Sequence, residues 1–196
     1  MEGKIKKLTN MNDFKKVYKV FAGPPYNEKY TNEELEDIFN EYQEKGYIYG
    51  VYNKENCVGL IALEIGAKAN QPINFQDEKV MYLADVAVLD GYRRNGLGNQ
   101  LMLYGVMQAK ALGFNKLYMR TLKEGSMSYG IASRIGFKEV PNIIQEVKKE
   151  RINGETETMQ NIFLEIDLNN LTKDNLIQGI KLSISETNID KEEIEI

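Results

Sequence analysis

The chain of 196 residues contains no histidine and one cysteine, Cys57. Without histidine, neither a Ser-His-Asp triad nor a Cys-His pair can form, and imidazole zinc sites are excluded. We therefore expect no metal, and any acid or base must be Glu, Asp, Tyr, Lys, Cys or water. A single cysteine excludes an internal disulfide framework and favours a reducing compartment, so we expect a cytoplasmic protein. With no histidine to activate it, Cys57 is interpreted as inert packing.

Long apolar runs are also missing, and none approaches the length of a membrane span. The first ten residues, MEGKIKKLTN, lack the apolar segment of a signal peptide. Hydrophobic residues make up 42% of the chain, which suffices for a packed core. The formal charge of −4 equals the charge of residues 185–196 alone, so the remaining body is balanced. That balance predicts neither a nucleic acid nor a membrane as partner.

What the chain does contain is a strand, a basic glycine-containing loop and a helix in direct succession, between Lys79 and Leu112. Gly96 and Gly98 lie where the strand turns into the helix, so the backbone can turn sharply and a ligand can approach it. The first N–H groups of a helix lack partners, and the positive end of its dipole suits a phosphate or pyrophosphate. The loop has neither the lysine and hydroxyl of a Walker motif nor the third glycine of a Rossmann fingerprint.

The elements around this unit predict a layered α/β domain. An edge strand, two amphipathic helices and a hairpin come before it, and Thr31 with Glu34 forms a capping box at the second helix. A strand, a short helix and two final strands follow, and strand–helix–strand order implies one parallel pair. The dipeptide Asn153-Gly154 predicts a type I′ turn between the last two strands. We assign residues 1–168 to one domain and 169–196 to an extension, a helix plus an acidic tail, compatible with a homodimer.

Arg93, Gly96 and Gly98 resemble the loop pattern Gln/Arg-x-x-Gly-x-Gly/Ala of the GNAT superfamily of acyl-CoA-dependent N-acyltransferases. The order of elements over residues 1–168 is similar to that of the family. The resemblance implies an α/β (α+β) fold with a mixed, mostly antiparallel central sheet of six or seven strands. It also implies helices on both faces and a central pair of parallel strands that splay apart.

The resemblance further implies that acetyl-CoA is the acyl donor and is held mainly by the backbone. The loop would hold the pyrophosphate through Arg93, Arg94, Asn95, Gly96, Leu97, Gly98 and Asn99. The preceding strand would pair with the pantetheine amides through Val86, Ala87 and Val88. By motif position, the short helix would flank the thioester end through Gly125 and Ser128.

The acid of the family is absent from its usual position. That tyrosine lies four residues before the glycine of Gly136-Phe137, where this chain has Ala132. Tyr129, about one helical turn earlier, is the candidate acid that would protonate the leaving thiolate. The alternative for Tyr129 is packing in the core, which is the commoner role of an aromatic residue on a short helix.

The sequence also leaves the identity of the general base open. The family position for a Glu or His base corresponds to Tyr82, and Glu64 on the neighbouring predicted strand is a second candidate. Asp85 is the carboxylate nearest to Tyr82, but strand alternation predicts that it faces the opposite side of the sheet. The alternative is that Tyr82 packs in the core and that Glu64 and Asp85 are surface charges. In that case a water molecule would act as the base.

Two functions follow from this resemblance. The first is an N-acetyltransferase that passes the acetyl group of acetyl-CoA to a primary amine by direct transfer in a ternary complex. The acceptor would be a small molecule or a peptide whose identity the sequence leaves open, as it does the acyl chain length. The second is a non-catalytic acyl-CoA-binding sensor or interaction module of the same fold.

Overall fold

The structure, a computed structural model, describes residues 4–23, 26–66, 72–73, 79–122, 126–151 and 153–171. These residues form a seven-stranded sheet with helices packed on it. The strands are β1 Lys4–Lys7, β2 Gly46–Asn53, β3 Asn56–Ile65, β4 Val80–Val88, β5 Lys116–Thr121, β6 Lys138–Glu150 and β7 Thr156–Asp167. The α-helices are α1 Met11–Tyr18, α2 Asn32–Lys45, α3 Leu97–Ala111 and α4 Met127–Ile135.

The strand order in the sheet is β1-β2-β3-β4-β5-β7-β6. Neighbouring strands are antiparallel except β4 and β5, which are parallel and are connected through α3. A parallel pair needs such a crossover, and an antiparallel pair does not. The prediction of a mixed, mostly antiparallel sheet with one central parallel pair is therefore confirmed.

Helices cover both faces of the sheet, as predicted. On one face α1 and α2 bury an aromatic-rich core against β2, β3 and β4; its largest members are Phe14, Tyr18, Phe21, Phe39, Tyr42 and Tyr52. On the other face α3 and α4 bury an aliphatic core; its members include Ile61, Leu63, Met81, Leu83, Leu101, Met102, Val106 and Ile135. We call these the α1/α2 face and the α3/α4 face.

The parallel pair separates half-way along β4. Residues Val80 to Leu83 pair with Lys116 to Met119, and β4 has no partner on that side beyond Leu83 among the described residues. On its other side β4 stays paired with β3 as far as Val88. The predicted splay is confirmed, and it leaves one backbone edge of β4 open.

Local signals in the sequence account for several element ends. At the start of α2 the Thr31 hydroxyl accepts the Glu34 amide at 3.1 Å, and the Glu34 carboxylate accepts the Thr31 amide at 2.6 Å. This reciprocal pair is the predicted capping box. The predicted meeting of the last two strands around Asn153-Gly154 is confirmed, because β6 and β7 are antiparallel, the Gly154 amide donates to the Arg151 carbonyl at 2.8 Å, and Gly154 has φ 81°.

The start of the extension packs against the domain. The Lys110 ammonium donates to the carbonyls of Leu168 and Leu171, at 3.0 and 2.6 Å, and Leu171 is buried in the core of the α3/α4 face. The helix and acidic tail predicted beyond it lie outside the described residues, so the boundary at residue 168 stays a prediction. In the part of the chain that the structure describes, no helix has both the length and the apolar character needed to cross a membrane.

Candidate active site

The loop between β4 and α3 turns twice through the left-handed region. Arg94 has φ 62° and Gly96 has φ 75°, and α3 begins at the next residue, Leu97. Glycine adopts this conformation without steric cost, whereas a residue with a Cβ atom is strained there. The turn therefore explains Gly96 and places the first helical amides at the mouth of the loop.

These amides have no hydrogen-bond acceptor among the residues that the structure describes. The Arg93 amide donates to the Asp90 carbonyl at 3.3 Å, but none of the amides from Arg94 to Asn99 donates to any described residue. Gly96 caps the helix without a side-chain hydrogen bond, so the positive end of the α3 dipole is also uncompensated there. Such a group of convergent donors fits an anion of the phosphate kind.

The side chain of Arg93 fastens the loop to the end of β4. Its Nε donates to the Val88 carbonyl at 3.1 Å, and its guanidinium pairs with the Asp90 carboxylate at 2.9 Å. Arg94, by contrast, is exposed. The amide nitrogen of the Asn95 side chain reaches the carbonyls of Tyr92 and Arg93, both at 3.4 Å. Arg93 thus shapes the site, while Arg94 is placed to add positive charge.

The open edge of β4 leads directly into this loop. Val86, Ala87 and Val88 pair with β3 through Ile61, Leu60 and Gly59. Their other edge lies beyond the point where β5 separates, and the side chains of Val86 and Val88 are partly exposed. An extended ligand with amide groups can form strand-like hydrogen bonds along such an edge.

A β-bulge at Ala84 changes which residues of β4 face which helices. Leu83 pairs with Leu63 and Asp85 pairs with Ala62, so Ala84 is an extra residue between the two pairs. An inserted residue interrupts the alternation of side chains along the strand. The prediction that Asp85 faces away from Tyr82 is therefore wrong, because the bulge turns the Asp85 carboxylate toward the α1/α2 face.

Two tyrosines hold this carboxylate. The hydroxyls of Tyr18 on α1, at 2.8 Å, and of Tyr42 on α2 both donate to Oδ2 of Asp85. No described residue donates to its Oδ1, no described Lys or Arg forms an ion pair with it, and Asp85 as a residue is partly exposed. Burial, followed by the charge of Asp85, raises the pKa of both tyrosines, so they remain protonated donors.

The two base candidates lie on the same face as Asp85. Glu64 and Tyr82 are opposite each other in the β3–β4 register, and both are buried, at 5% and 4% exposure. The ring of Tyr82 packs on that of Tyr118, with centroids 4.8 Å apart. The charge of Glu64 also contributes to the raised pKa of Tyr42. Tyr82, Glu64 and Asp85, whose roles the sequence left open, therefore lie on one side of the sheet.

The residues on α4 lie on the other face. Ser126 caps the helix by accepting the Tyr129 amide at 3.3 Å, and its hydroxyl lies 2.8 Å from that of Thr121. Tyr129 is partly buried against the core of the α3/α4 face, and Ser128 is partly exposed. Gly125 lies outside the described residues. Tyr129 and Asp85 are therefore on opposite sides of the sheet.

The model of the acetyltransferase (GNAT) family matches residues 11–137 of this chain, from the start of α1 to the end of α4. The chain belongs to this family. A GNAT relative, the uncharacterized N-acetyltransferase YjgM of Escherichia coli (strain K12), is 23% identical over 106 residues, 54% of this chain and 60% of that protein. The match thus spans 60% of the relative's length, which is less than two thirds.

Solved structures agree with the GNAT assignment at the level of the fold. An N-acetyltransferase from Staphylococcus aureus Mu50 has a TM-score of 0.63 at 17% identity, and covers 86% of this chain and 99% of its own. The GNAT superfamily phosphinothricin acetyltransferase (Pat) from Sinorhizobium meliloti in complex with AcCoA has a TM-score of 0.64 at 13% identity. That alignment covers 85% of this chain and 89% of the other.

Sequence reasoning predicted the backbone groups of this candidate site and did not predict the side chains that hold Asp85. Tyr18 and Tyr42 are not among the predicted site residues, yet their hydroxyls hold Asp85. One signal was available: Asp85 is a carboxylate in the middle of an otherwise apolar central strand, VMYLADVAV, where a charge needs hydrogen-bond partners.

Proposed function

We propose that this protein transfers the acetyl group of acetyl-CoA to a primary amine, directly and within a ternary complex. The observation that carries the proposal is the group of amides from Arg94 to Asn99, which no described residue uses, beside the open edge of β4. Family membership supports the same assignment. The donors suit the pyrophosphate of the donor substrate, and the edge suits its pantetheine arm.

Each part of the donor substrate has a proposed partner. The amides of Arg94 to Asn99 would bind the pyrophosphate, with the exposed Arg94 adding charge and Arg93 keeping the loop in place. The backbone of Val86, Ala87 and Val88 would pair with pantetheine, and Ser128 on α4 would lie near the thioester end, as would Gly125. An amide near Val86 would stabilise the oxyanion that forms during transfer.

The reaction balances without a covalent enzyme intermediate. The ammonium of the acceptor loses a proton, and its nitrogen lone pair forms the C–N bond as the carbonyl π electrons move onto oxygen. Collapse of this intermediate restores the C=O bond and breaks the C–S bond, and the electron pair leaves on sulfur. The nitrogen loses its second proton and the thiolate gains one, so the products are the amide, CoA and one proton.

The buried environment of Cys57 supports direct transfer without an acyl-enzyme intermediate. Cys57 is fully buried, donates to the Gly59 carbonyl at 3.4 Å, and has its pKa raised to about 11 by burial. A buried thiol that stays protonated at neutral pH is a poor nucleophile. An acyl-cysteine intermediate at this position is therefore disfavoured, and the buried, reduced thiol suits the proposed cytoplasmic location.

The proton donor to the thiolate is proposed to be Tyr129. It lies on α4, two residues into a helix whose start is fixed by Ser126. A tyrosine acid of this kind contributes roughly 100-fold to the rate or more, so Tyr129→Phe is expected to lower kcat by about that factor. If Tyr129 serves only in packing, the Phe variant keeps its activity and water protonates the sulfur.

The test is thiol release from acetyl-CoA in the presence of a panel of primary amines, with mass spectrometry of the acetylated product. An acetyltransferase releases CoA only when an acceptor is present and transfers one acetyl group to it. Native mass spectrometry of the purified protein checks donor binding separately. Binding of CoA with no thiol release for any amine would overturn the enzymatic proposal and leave an acyl-CoA-binding module.

A further inference from the structure

We propose that Asp85 binds the ammonium group of the acceptor and takes its proton, and that the acceptors are primary amines without a carboxylate beside the amine. This inference rests on the acetyltransferase function proposed above. It assigns the base that the family position, occupied here by Tyr82, does not supply.

The first argument is position. The bulge at Ala84 turns the Asp85 carboxylate to the α1/α2 face, next to Val86, whose amide is proposed to hold the oxyanion. Ala84, Asp85 and Val86 are all partly exposed although β4 is a central strand of the sheet. The edge of β4 beyond Leu83 is open, so solvent reaches these residues at the point where β4 and β5 separate.

The second argument is charge. The hydroxyls of Tyr18 and Tyr42 occupy Oδ2 of Asp85, and no described residue donates to Oδ1. A half-buried carboxylate is strongly stabilised by a cation within reach, and no described Lys or Arg lies within ion-pair distance. An alkylammonium ion supplies both the missing charge and the donor for Oδ1. Proton transfer to Oδ1 then leaves the neutral amine in place for attack.

The third argument concerns the aromatic rings and carboxylates around Asp85. The ring of Tyr30 packs edge-on against that of Tyr18, with centroids 5.5 Å apart, and its hydroxyl donates to Glu28. Burial raises the pKa of Tyr26, the charge of Arg93 lowers it, and the charges of Glu28 and Asp85 raise it further, so Tyr26 lies within reach of all three charged groups. Aromatic faces and carboxylates attract an ammonium ion and repel an anion.

Guanidinium groups near this site are engaged within the protein, and that of Arg120 on β5 donates to the Gln145 side chain at 2.9 Å. Arg93 is paired with Asp90, and Arg151 is paired with Glu157 at 2.5 Å and also donates to the Tyr26 carbonyl. A carboxylate on the α-carbon of an acceptor bound at Asp85 would lie beside a charge of its own sign. Like charges placed against each other in a binding site disfavour binding. This repulsion is the physical basis for excluding free α-amino acids.

Matched acceptors test the substrate class. Phenethylamine and L-phenylalanine methyl ester are compared with L-phenylalanine, and 1,5-diaminopentane with L-lysine, by kcat/KM in the thiol-release assay. We expect at least about a 100-fold preference for the members without the carboxylate. The methyl ester separates charge from size, because it keeps the bulk of the amino acid and removes its negative charge. Equal kcat/KM for L-phenylalanine and its ester would overturn the inference.

Asp85→Asn tests the residue, with Asp37→Asn on the exposed surface of α2 as the matched control. We expect Asp85→Asn to lower kcat/KM by about 100-fold or more and to remove the decline of kcat/KM on the acid side of the pH profile. Affinity for CoA, measured calorimetrically, should stay the same. A purely structural Asp85 would leave the shape of the pH profile unchanged, and that result would overturn the assignment.

A binding measurement separates this inference from the proposed function. Phenethylamine is titrated into the CoA complexes of the wild type and of Asp85→Asn. If no amine is acetylated but phenethylamine binds only the wild type, the enzymatic proposal fails and the ammonium site stands. If phenethylamine binds both proteins equally, the inference about Asp85 fails whether or not acetyl transfer occurs.

Discussion

The loop before α3 and the cluster around Asp85 are built in different ways. The loop offers backbone amides from six consecutive residues, Arg94 to Asn99, which no described residue uses. The cluster is made of side chains from three elements, because Tyr18 and Tyr42 are 67 and 43 residues from Asp85 in sequence. A backbone site can be recognised from local spacing, whereas a side-chain site depends on register and packing. The predictions below ask whether the two regions can be disturbed separately.

Of these changes, Gly98→Glu is expected to have the largest effect, and the effect should be on CoA binding at the loop. A carboxylate in the first turn of α3 lies against the proposed pyrophosphate, and like charges at a binding site cost several kcal/mol, so CoA should bind at least about 100-fold more weakly. Gly98→Ala is the control, because a Cβ at this position would lie at an ordinary distance of 3.5 Å from Ile131 Cδ1. Calorimetry should show near wild-type CoA affinity for Gly98→Ala. Unchanged affinity in Gly98→Glu would contradict the assignment of the loop.

Arg93→Lys tests whether Arg93 acts by holding the loop in place. Lysine keeps the positive charge but cannot reproduce the hydrogen bond from Nε to the Val88 carbonyl. A hydrogen bond from a charged group contributes about 1.5–3 kcal/mol, so CoA affinity should fall by about 10-fold. Arg93→Ala should behave like Arg93→Lys. If the lysine variant binds CoA as the wild type does while the alanine variant does not, Arg93 acts through its charge on the ligand.

Tyr42→Phe disturbs the acceptor side alone. Loss of its hydroxyl removes one of the two donors to Asp85, and a hydrogen bond to a charged group contributes about 1.5–3 kcal/mol. We expect kcat/KM for the amine to fall by up to about 10-fold, since the second donor, Tyr18, remains, and CoA affinity to stay constant. The double variant Tyr18→Phe/Tyr42→Phe should lose more than either single variant. A matching loss of CoA affinity would show that the two regions are not separable.

Alkaline pH should produce the smallest effect, and only on stability. Burial raises the pKa of Tyr18 and Tyr42 above the ordinary value of 10, so the folded protein keeps both protons where the unfolded chain releases them. Stability is therefore complete below about pH 10 and falls as the pH rises above it, by up to about 1.4 kcal/mol per pH unit for each tyrosine. Urea unfolding at about pH 9 and 11 measures this slope. Tyr18→Phe should reduce it, and an unchanged slope would contradict the burial argument.

Most of the fold could be predicted, because its elements carry local signals. The capping box at Thr31 and the crossover through α3 each correspond to a readable pattern, whereas the open edge after Leu83 was implied by the family resemblance. The bulge at Ala84 could not be predicted, since VMYLADVAV has no glycine or proline to mark it. One inserted residue reversed the expected direction of Asp85, and with it the interpretation of the acceptor side.

The C-terminal extension and the homodimer stay predictions. Leu171 is buried against the domain, but the helix and acidic tail expected after it lie outside the described residues. Their contribution depends on contacts that sequence composition alone does not specify.

Amide NMR during a titration with CoA tests the central claim most directly. If the loop holds the pyrophosphate, the amide signals of Arg94 to Asn99 should move most and saturate together with the calorimetric binding curve. The amides of Val86 to Val88 should follow with smaller shifts, and those of β1 should not move. Large shifts elsewhere, with the signals of Arg94 to Asn99 unchanged at saturation, would contradict the account.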